Sequence, residues 1–187
     1  MIILGSTSPR RKELMNKITS DFKIIAPLFN EEKLSKETKH YALEESFNKA
    51  QSLINQIDKD DCLICADTIV FYNNKIYGKP KNIEEAKKFI RELSGVTHEV
   101  ISGYTILYHE CTIKKEVVSY VTFNKLNDEK INEYVKNVYV LDKAGAYSIQ
   151  DDYKEHIIKS IDGSFDNVMG LPTEEIRKDL KMLNLID

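Results

Sequence analysis

Residues 1–13 read M-I-I-L-G-S-T-S-P-R-R-K-E, and they indicate how the fold begins. The apolar run at residues 2–4 predicts a short buried strand that ends at a glycine. Ser8 is a good helix N-cap, and Pro9 suits the first helical position because the N–H that proline lacks would have no partner there. The chain therefore starts as a strand, a tight polar loop and a helix.

Two arginines lie in the first turn of this predicted helix. The helix dipole favours negative charge at an N-terminus, so Arg10 and Arg11 are unusual there. Together with the amides of the first turn and the hydroxyls of Ser6, Thr7 and Ser8, they can bind an anion. A pair of arginines exposed to solvent is the alternative. Their position favours a phosphate site that includes Ser6, Ser8, Arg10 and Arg11.

The composition is that of an ordinary globular protein, and it argues against several functions. The 187 residues suit one domain, or one domain with two lobes, and 30% of them are charged while 42% are hydrophobic. The formal charge of -3 gives no electrostatic basis for stable binding to nucleic acid or to a membrane. No apolar run is long enough to span a membrane, and the first residues lead into a strand rather than a signal peptide, so we expect a cytoplasmic protein.

The cysteines and histidines predict neither a disulfide nor a zinc site. Three cysteines in a chain without an export signal are expected to be thiols. Cys62 and Cys65 have C-x-x-C spacing, but they lie in a predicted strand, where residues three apart point to opposite faces. The four histidines are scattered and form no zinc pattern.

Periodicity and turn residues predict a mixed α/β fold. Helices are expected at residues 39–56, 83–93, 127–135 and 172–183, and strands at 22–26, 62–72, 75–77, 96–108, 112–123 and 157–161. An Asn-Asn turn at 73–74 suggests a hairpin, and the two long strands suggest another. Because helices alternate with both parallel-type and hairpin connections, the class is mixed α/β. Residues 142–150 and 163–172 are rich in small residues and resemble binding loops.

Asp67 is the most informative acidic residue, because it interrupts a strongly apolar strand. A carboxylate on a buried element must be paired, hydrogen-bonded or bound to metal, although it could also cap a turn. Lys79, at the end of the neighbouring hairpin, could reach the same cleft. Glu31 and Glu32 could hold a divalent cation, although two glutamates in a loop more often face solvent. With no Walker loop and no dinucleotide fingerprint, the set suits metal-assisted chemistry on a phosphorylated small molecule.

Six segments resemble motifs of the Maf family of nucleoside triphosphate pyrophosphatases, historically called septum formation inhibitors. The segments are S-T-S-P-R-R at 6–11, A-D-T-I-V at 66–70, G-K-P at 78–80, S-G-V-T-H-E-V at 94–100, D-K-A-G-A-Y-S-I-Q at 142–150 and G-S-F-D-N-V-M-G-L-P at 163–172. They occur in the family's order across nearly the whole chain. The resemblance implies one domain over 1–187 with a two-lobed fold of the inosine-triphosphatase type, a nucleotide cleft between the lobes, and a homodimer.

The resemblance also implies roles for particular residues. Asp67 resembles the catalytic base, and Glu31, with Asp67, resembles a ligand of a divalent cation, which we expect to be Mg²⁺, with Mn²⁺ or Co²⁺ as alternatives. The phosphate-binding cations would be Arg10, Arg11, Lys49 and Lys79. Arg10, Thr68 and Gln150 resemble the residues that select dTTP and UTP.

Two departures from the family pattern are visible. The acidic loop usually reads Asp-Glu and here reads Asn30-Glu31, which leaves a role for Glu32 open. The S-G-x-x-H segment is usually followed by Thr-Gly and here by Ser102-Gly103, where a hydroxyl is retained.

The expected function is hydrolysis of a nucleoside triphosphate to its monophosphate and pyrophosphate, which would remove unwanted nucleotides from the pool. One alternative is a pyrophosphatase for inosine or xanthosine triphosphate. The other alternative is a nucleotide-binding regulator of cell division.

Overall fold

A computed structural model describes residues 1–28 and 38–187 of the chain. The strands are β1 Ile2–Leu4, β2 Lys23–Ile24, β3 Cys62–Tyr72, β4 Lys75–Tyr77, β5 Thr97–Tyr108, β6 Cys111–Phe123 and β7 Ile158–Asp162. The α-helices are α1 Pro9–Asn16, α2 Tyr41–Leu53, α3 Ile83–Leu93, α4 Asp128–Asn137, α5 Lys154–Ile157, α6 Phe165–Met169 and α7 Thr173–Met182. Short 3₁₀ helices occur at Ile54–Gln56 and Ala144–Ala146.

The strands of the described residues form one mixed sheet in the order β2-β1-β3-β5-β6-β7, with β4 paired to β3. β1 is parallel to both β2 and β3, whereas β3, β5, β6 and β7 are antiparallel neighbours. The predicted mixed α/β class is therefore confirmed. Both predicted hairpins are also present, and the Asn73–Asn74 turn has the positive φ values that such a turn requires.

β1 is much shorter than β3, and this difference places the loop after β1 next to Asp67. Leu4 pairs with Ile64, and the backbone N–H of Gly5 donates to the Ile64 carbonyl oxygen. β1 then ends, while β3 continues for eight residues to Tyr72 and includes Asp67. The loop that leaves β1 toward α1 therefore turns away next to Asp67.

Alternating side chains of the sheet build a core on each face. The larger core contains residues of β1, β3 and β5 together with α1, α3, α4 and α7. The smaller core packs α2 against Ile3, Leu63 and Cys65. Cys62 and Cys65 consequently lie in different cores, and all three cysteines are unpaired. Burial raises the pKa of the Cys62 and Cys65 thiols to about 12, so both are protonated at neutral pH.

α2 lies directly on β5 because the strand has a glycine where the helix begins. A Cβ atom at Gly103 would overlap the backbone of Ala42 and Leu43. Glycine therefore permits a close approach of two backbones that another residue would block. The same helix carries Lys49 over β3, so this contact helps to position a cation of the site.

The structure corrects several predicted boundaries. The strand expected at 22–26 is limited to Lys23–Ile24, and the helix expected at 39–56 is α2 followed by a 3₁₀ turn. Residues 163–172, read from sequence as a loop, contain α6, which Ser164 caps and Gly170 ends with a φ of 121°. These short elements have too few residues for a periodic pattern, so the sequence did not reveal them. No helix within residues 1–28 or 38–187 has both the length and the apolar character that a membrane span requires.

Candidate active site

A cleft of about 940 Å³ opens where β1 ends, and its lining comes from distant parts of the chain. The first group of lining residues is the loop and first turn at residues 5–11, with Lys49, Asp67 and Thr68 beside it. Residues 142–144 and 147–153 form another part of the wall. The cleft brings together nine predicted site residues, namely Ser6, Ser8, Arg10, Arg11, Lys49, Asp67, Thr68, Lys79 and Gln150. Its volume lies in the range of small-molecule sites.

The loop between β1 and α1 is ordered by its own hydroxyl groups. Ser8 caps α1 as predicted, because its Oγ accepts a hydrogen bond from the Arg11 N–H at 3.4 Å. Ser6 Oγ accepts from the Ser8 N–H at 3.2 Å. A hydroxyl that accepts one hydrogen bond can still donate its own proton, so both serines have a donor for an anion. The predicted helix N-terminus therefore faces the cleft with hydroxyls in place.

Asp67 lies between two cations in the cleft. Lys49 Nζ donates to Asp67 Oδ1 at 2.8 Å, and Arg11 Nη2 lies 3.9 Å from the same oxygen. The side chains of Lys49, Arg11 and Asp67 are 8%, 15% and 16% exposed, so water screens these charges less than at an open surface. Asp67 also pairs with Gly103 of β5 in the middle of the sheet, which excludes the alternative of a turn cap. Two positive charges around one negative charge give this part of the cleft a net positive charge, which favours an anionic ligand.

Arg11 is held by groups that the sequence did not indicate. Its Nε donates to the carbonyl oxygen of Gly170 at 2.9 Å, and its Nη2 donates to Thr68 Oγ1 at 3.5 Å. Thr68 Oγ1 is also 2.7 Å from Ser102 Oγ. Every residue has a main-chain carbonyl, so the sequence does not show that the carbonyl of Gly170 accepts a hydrogen bond from Arg11. Only the fold reveals this contact. Selection of the base by Thr68 stays a prediction.

The remaining predicted residues lie around the rim. Arg10 Nη2 donates to the Asp142 carbonyl oxygen at 3.2 Å and so links α1 to the loop at residues 142–150. Gln150 is exposed, and its Nε2 lies 3.4 Å from Glu13 Oε2. Lys79 is exposed and lines the cleft.

The metal site is represented by one predicted ligand in the described part of the chain. Asp67 supplies carboxylate oxygens, which suit a hard divalent cation, and it faces the cleft where phosphates would bind. Glu31 and Glu32 lie outside the described residues. Within residues 1–28 and 38–187, no group of three or more acidic, histidine or cysteine side chains forms a metal cluster. The donor chemistry of Asp67 therefore fits a cation that a bound substrate would help to hold.

A buried histidine supports the wall of the cleft, and sequence reasoning missed it. His98 Nε2 is 2.8 Å from the hydroxyl of Tyr147, which lines the cleft, and the two rings pack edge-on with Phe123. His98 is 1% exposed. Burial lowers the pKa of His98 to about 4, so the imidazole is neutral at pH 7. The available signal was a histidine within the apolar residues of β5.

This lowered pKa predicts a loss of stability in acid. Because the pKa of unfolded His98 is near 6.5, the unfolded chain binds a proton that the folded chain excludes as the pH falls from about 6.5 to about 4. Over that window we expect His98 to lower the free energy of unfolding by on the order of 3 kcal/mol. Urea unfolding at several pH values measures this, with H98Q as the comparison because glutamine does not titrate. Parallel pH profiles for the two proteins would refute the assignment.

The fold and the site are typical of α/β proteins that bind phosphorylated ligands, because the cleft surrounds one carboxylate with cations and helix N-terminal donors. Residues 1–183 match the family model described as Maf-like protein, and the chain belongs to the Maf-like family.

The chain aligns over nearly its whole length with several described relatives. It is 41% identical to a dTTP/UTP pyrophosphatase of Alkaliphilus oremlandii, with 91% of this chain and 90% of the relative covered. It is 39% identical to a dTTP/UTP pyrophosphatase of Acholeplasma laidlawii, with 100% and 98% covered. It is 35% identical to a dTTP/UTP pyrophosphatase of Lachnoclostridium phytofermentans, with 98% and 95% covered.

A solved structure supports the fold. The Ham1 protein of Staphylococcus aureus aligns with a TM-score of 0.55 over 97% of this chain and 98% of its own. At 13% sequence identity this similarity concerns the fold alone. The predicted fold class is confirmed.

Proposed function

We propose that this chain hydrolyses dTTP and UTP to the monophosphate and pyrophosphate, and that it thereby removes unwanted nucleotides from the pool. The observation that carries the proposal is Asp67, held 2.8 Å from Lys49 and 3.9 Å from Arg11 beside the N-terminus of α1. A triphosphate requires neutralisation of several negative charges, and a cleft with these cations supplies it. Relatives described as dTTP/UTP pyrophosphatases indicate which triphosphates to test.

In the proposed reaction, Asp67 acts as the general base. A water oxygen forms a bond to the α-phosphorus, and its proton passes to a carboxylate oxygen of Asp67. The bond between the α-phosphorus and its bridging oxygen breaks, and that oxygen leaves with pyrophosphate. Arg10, Arg11, Lys49 and Lys79 offset the charge on the phosphates, because preformed cations need no reorganisation as charge develops.

A divalent cation, Mg²⁺, is part of this proposal, with Asp67 and Glu31 as its protein ligands. When bound, such a cation neutralises phosphate charge and lowers the pKa of a coordinated water. The support from the chain is that Asp67 provides hard oxygen donors at the place where the phosphates would lie.

We propose that Gln150 helps to select the pyrimidine, with Thr68 and Arg10 as further contributors. Gln150 is exposed at the cleft and has both a donor and an acceptor in its amide, which suits the edge of a base. Replacing it by alanine removes these bonds. We expect Q150A to lose about tenfold in kcat/KM for dTTP and UTP, with a smaller change for purine triphosphates. Equal losses for all bases would contradict a role in selection.

Incubation with Mg²⁺ and a panel of triphosphates tests the proposed substrates. The expected result is pyrophosphate release from dTTP and UTP, with little release from ATP, GTP, ITP or XTP. Preference for ITP or XTP would instead indicate a purine enzyme. Tight nucleotide binding without turnover would indicate a regulator.

The proposal also includes the assembly and the location of the protein. The family resemblance supports one two-lobed domain and a homodimer. The formal charge of -3 supports a protein without stable nucleic-acid or membrane partners, and we propose that it is a cytoplasmic enzyme. Light scattering of the purified protein tests the dimer, which a mass near 21.6 kDa would contradict.

A further inference from the structure

One edge of the Arg11 guanidinium is held by two groups from different parts of the chain. The Nε atom donates to the Gly170 carbonyl oxygen at 2.9 Å, and Nη2 donates to Thr68 Oγ1 at 3.5 Å. Gly170 ends α6, whereas Thr68 lies in β3 next to Asp67. The orientation of Arg11 therefore depends on the direction in which Thr68 points its lone pairs.

Two hydroxyl groups in series determine that direction. Ser102 Oγ donates to the Asn167 carbonyl oxygen at 3.0 Å, since a carbonyl oxygen can only accept. The single hydroxyl proton of Ser102 is then in use, so Thr68 must be the donor in the 2.7 Å bond between the two hydroxyls. Thr68 consequently presents lone pairs to Arg11, whose N–H groups can only donate. The hydrogen bonds run in one direction, from Arg11 to Thr68, Ser102 and Asn167.

The far end of this series is buried and fixed. Ser102 and Asn167 are both 0% exposed. The side-chain amide of Asn167 donates to the Val100 carbonyl oxygen at 3.3 Å and to Ser119 Oγ at 3.0 Å. Because the side-chain amide bonds hold Asn167 in place, its main-chain carbonyl oxygen stays in position to accept the Ser102 hydrogen bond.

We propose that Ser102 is a positioning residue, which fixes the proton of Thr68 and thereby orients Arg11 toward the phosphates of the substrate. The proposal rests on the pyrophosphatase function above. Without the Ser102 hydroxyl, Thr68 can rotate its proton toward the guanidinium, where one donor would face another. The contact between Arg11 Nη2 and Thr68 Oγ1 would then be lost, and small displacements of a charged group are costly in a preorganised site.

The first test is S102A with dTTP and Mg²⁺. Loss of a hydrogen bond to a charged group is expected to lower kcat/KM by about tenfold, mainly through kcat. S102T restores the hydroxyl with the residue that the resembled family usually carries, so we expect its activity within about twofold of the wild type. Circular dichroism melting shows whether each variant is folded.

A double-mutant cycle separates positioning from general loosening. Because Ser102 acts through Thr68, we expect S102A to change kcat/KM by less than about twofold in a T68V background. T105V is the matched control: Thr105 is also a buried hydroxyl residue of β5 and its Oγ1 lies 2.9 Å from Ser46 Oγ, but it has no place in the series to Arg11. It should lower the melting temperature without the loss in kcat. Undiminished loss in T68V, or equal loss in T105V, would overturn the proposal.

A measurement without turnover distinguishes this proposal from the proposed function. The Nη2–H signal of Arg11 in nitrogen-15 NMR should exchange slowly with water in the wild type and faster in S102A, because Nη2 is the atom that donates to Thr68. If the wild type cleaves no triphosphate but this difference is present, the function is wrong and the positioning role stands. An unchanged exchange rate in S102A overturns the positioning role.

Discussion

D67N is expected to abolish turnover while the protein remains folded. An amide cannot accept the proton of the attacking water, and loss of a general base lowers the rate by about 10²–10⁴-fold, so we expect kcat for dTTP to fall by about 10³-fold. Asparagine has nearly the same shape as aspartate, and the side chain of Asp67 is 16% exposed, so the packing around it is preserved. Pyrophosphate release and a thermal melt measure the two effects.

The same substitution has an opposite effect on binding. Asp67 is the negative charge between Lys49 and Arg11, and its removal leaves both cations to the phosphates. In EDTA, where no cation takes part, the Kd for dTTP should therefore be equal to or lower than that of the wild type. D128N is the control, since Asp128 pairs with Arg91 at an exposed site outside the cleft lining. Activity of D67N within tenfold of the wild type would disprove its assignment as the base.

K49M should have the next largest effect. Methionine keeps an unbranched apolar side chain but removes the ammonium that lies 2.8 Å from Asp67. We expect kcat/KM to fall by about 10²-fold, because the phosphates lose a preformed cation in a partly buried site. The melting temperature should also fall, since Asp67 loses its nearest ion-pair partner.

K75M provides the matched control for K49M. Lys75 pairs with Glu92 at 2.5 Å, but it is more exposed and lies outside the cleft lining. K75M should keep kcat/KM within about twofold of the wild type, because Lys75 does not line the cleft and an exposed ion pair contributes little to stability. If K49M retains more than about a third of wild-type kcat/KM, Lys49 is a structural partner of Asp67 and not a phosphate ligand.

The parts of the site that could be predicted are those encoded by local patterns. Ser8 and Pro9 marked the start of α1, and the structure places that helix N-terminus in the cleft. Asp67 was recognisable because a carboxylate interrupted a buried strand, and the structure gives it two cationic partners. Both signals depend on neighbours in the chain, which sequence patterns report directly.

The parts that could not be predicted depend on long-range packing. Only the family resemblance marked Lys49, because nothing local in α2 shows that this residue meets a strand 18 residues later. The carbonyl oxygen of Gly170 belongs to the backbone, so residue type does not reveal its contact with Arg11. The sequence showed a hydroxyl at Ser102, but its position between Thr68 and Asn167 depends on the fold. His98 was missed for a similar reason, since its partner Tyr147 is 49 residues away.

The stoichiometry of products from dTTP tests the central claim most directly. Purified protein with Mg²⁺, and without any added pyrophosphatase, should form dTMP and pyrophosphate in equal amounts from the first turnovers, with no orthophosphate. This outcome would establish cleavage between the α- and β-phosphates. Formation of dTDP with orthophosphate would contradict it, because the bond broken would then be the one to the γ-phosphate.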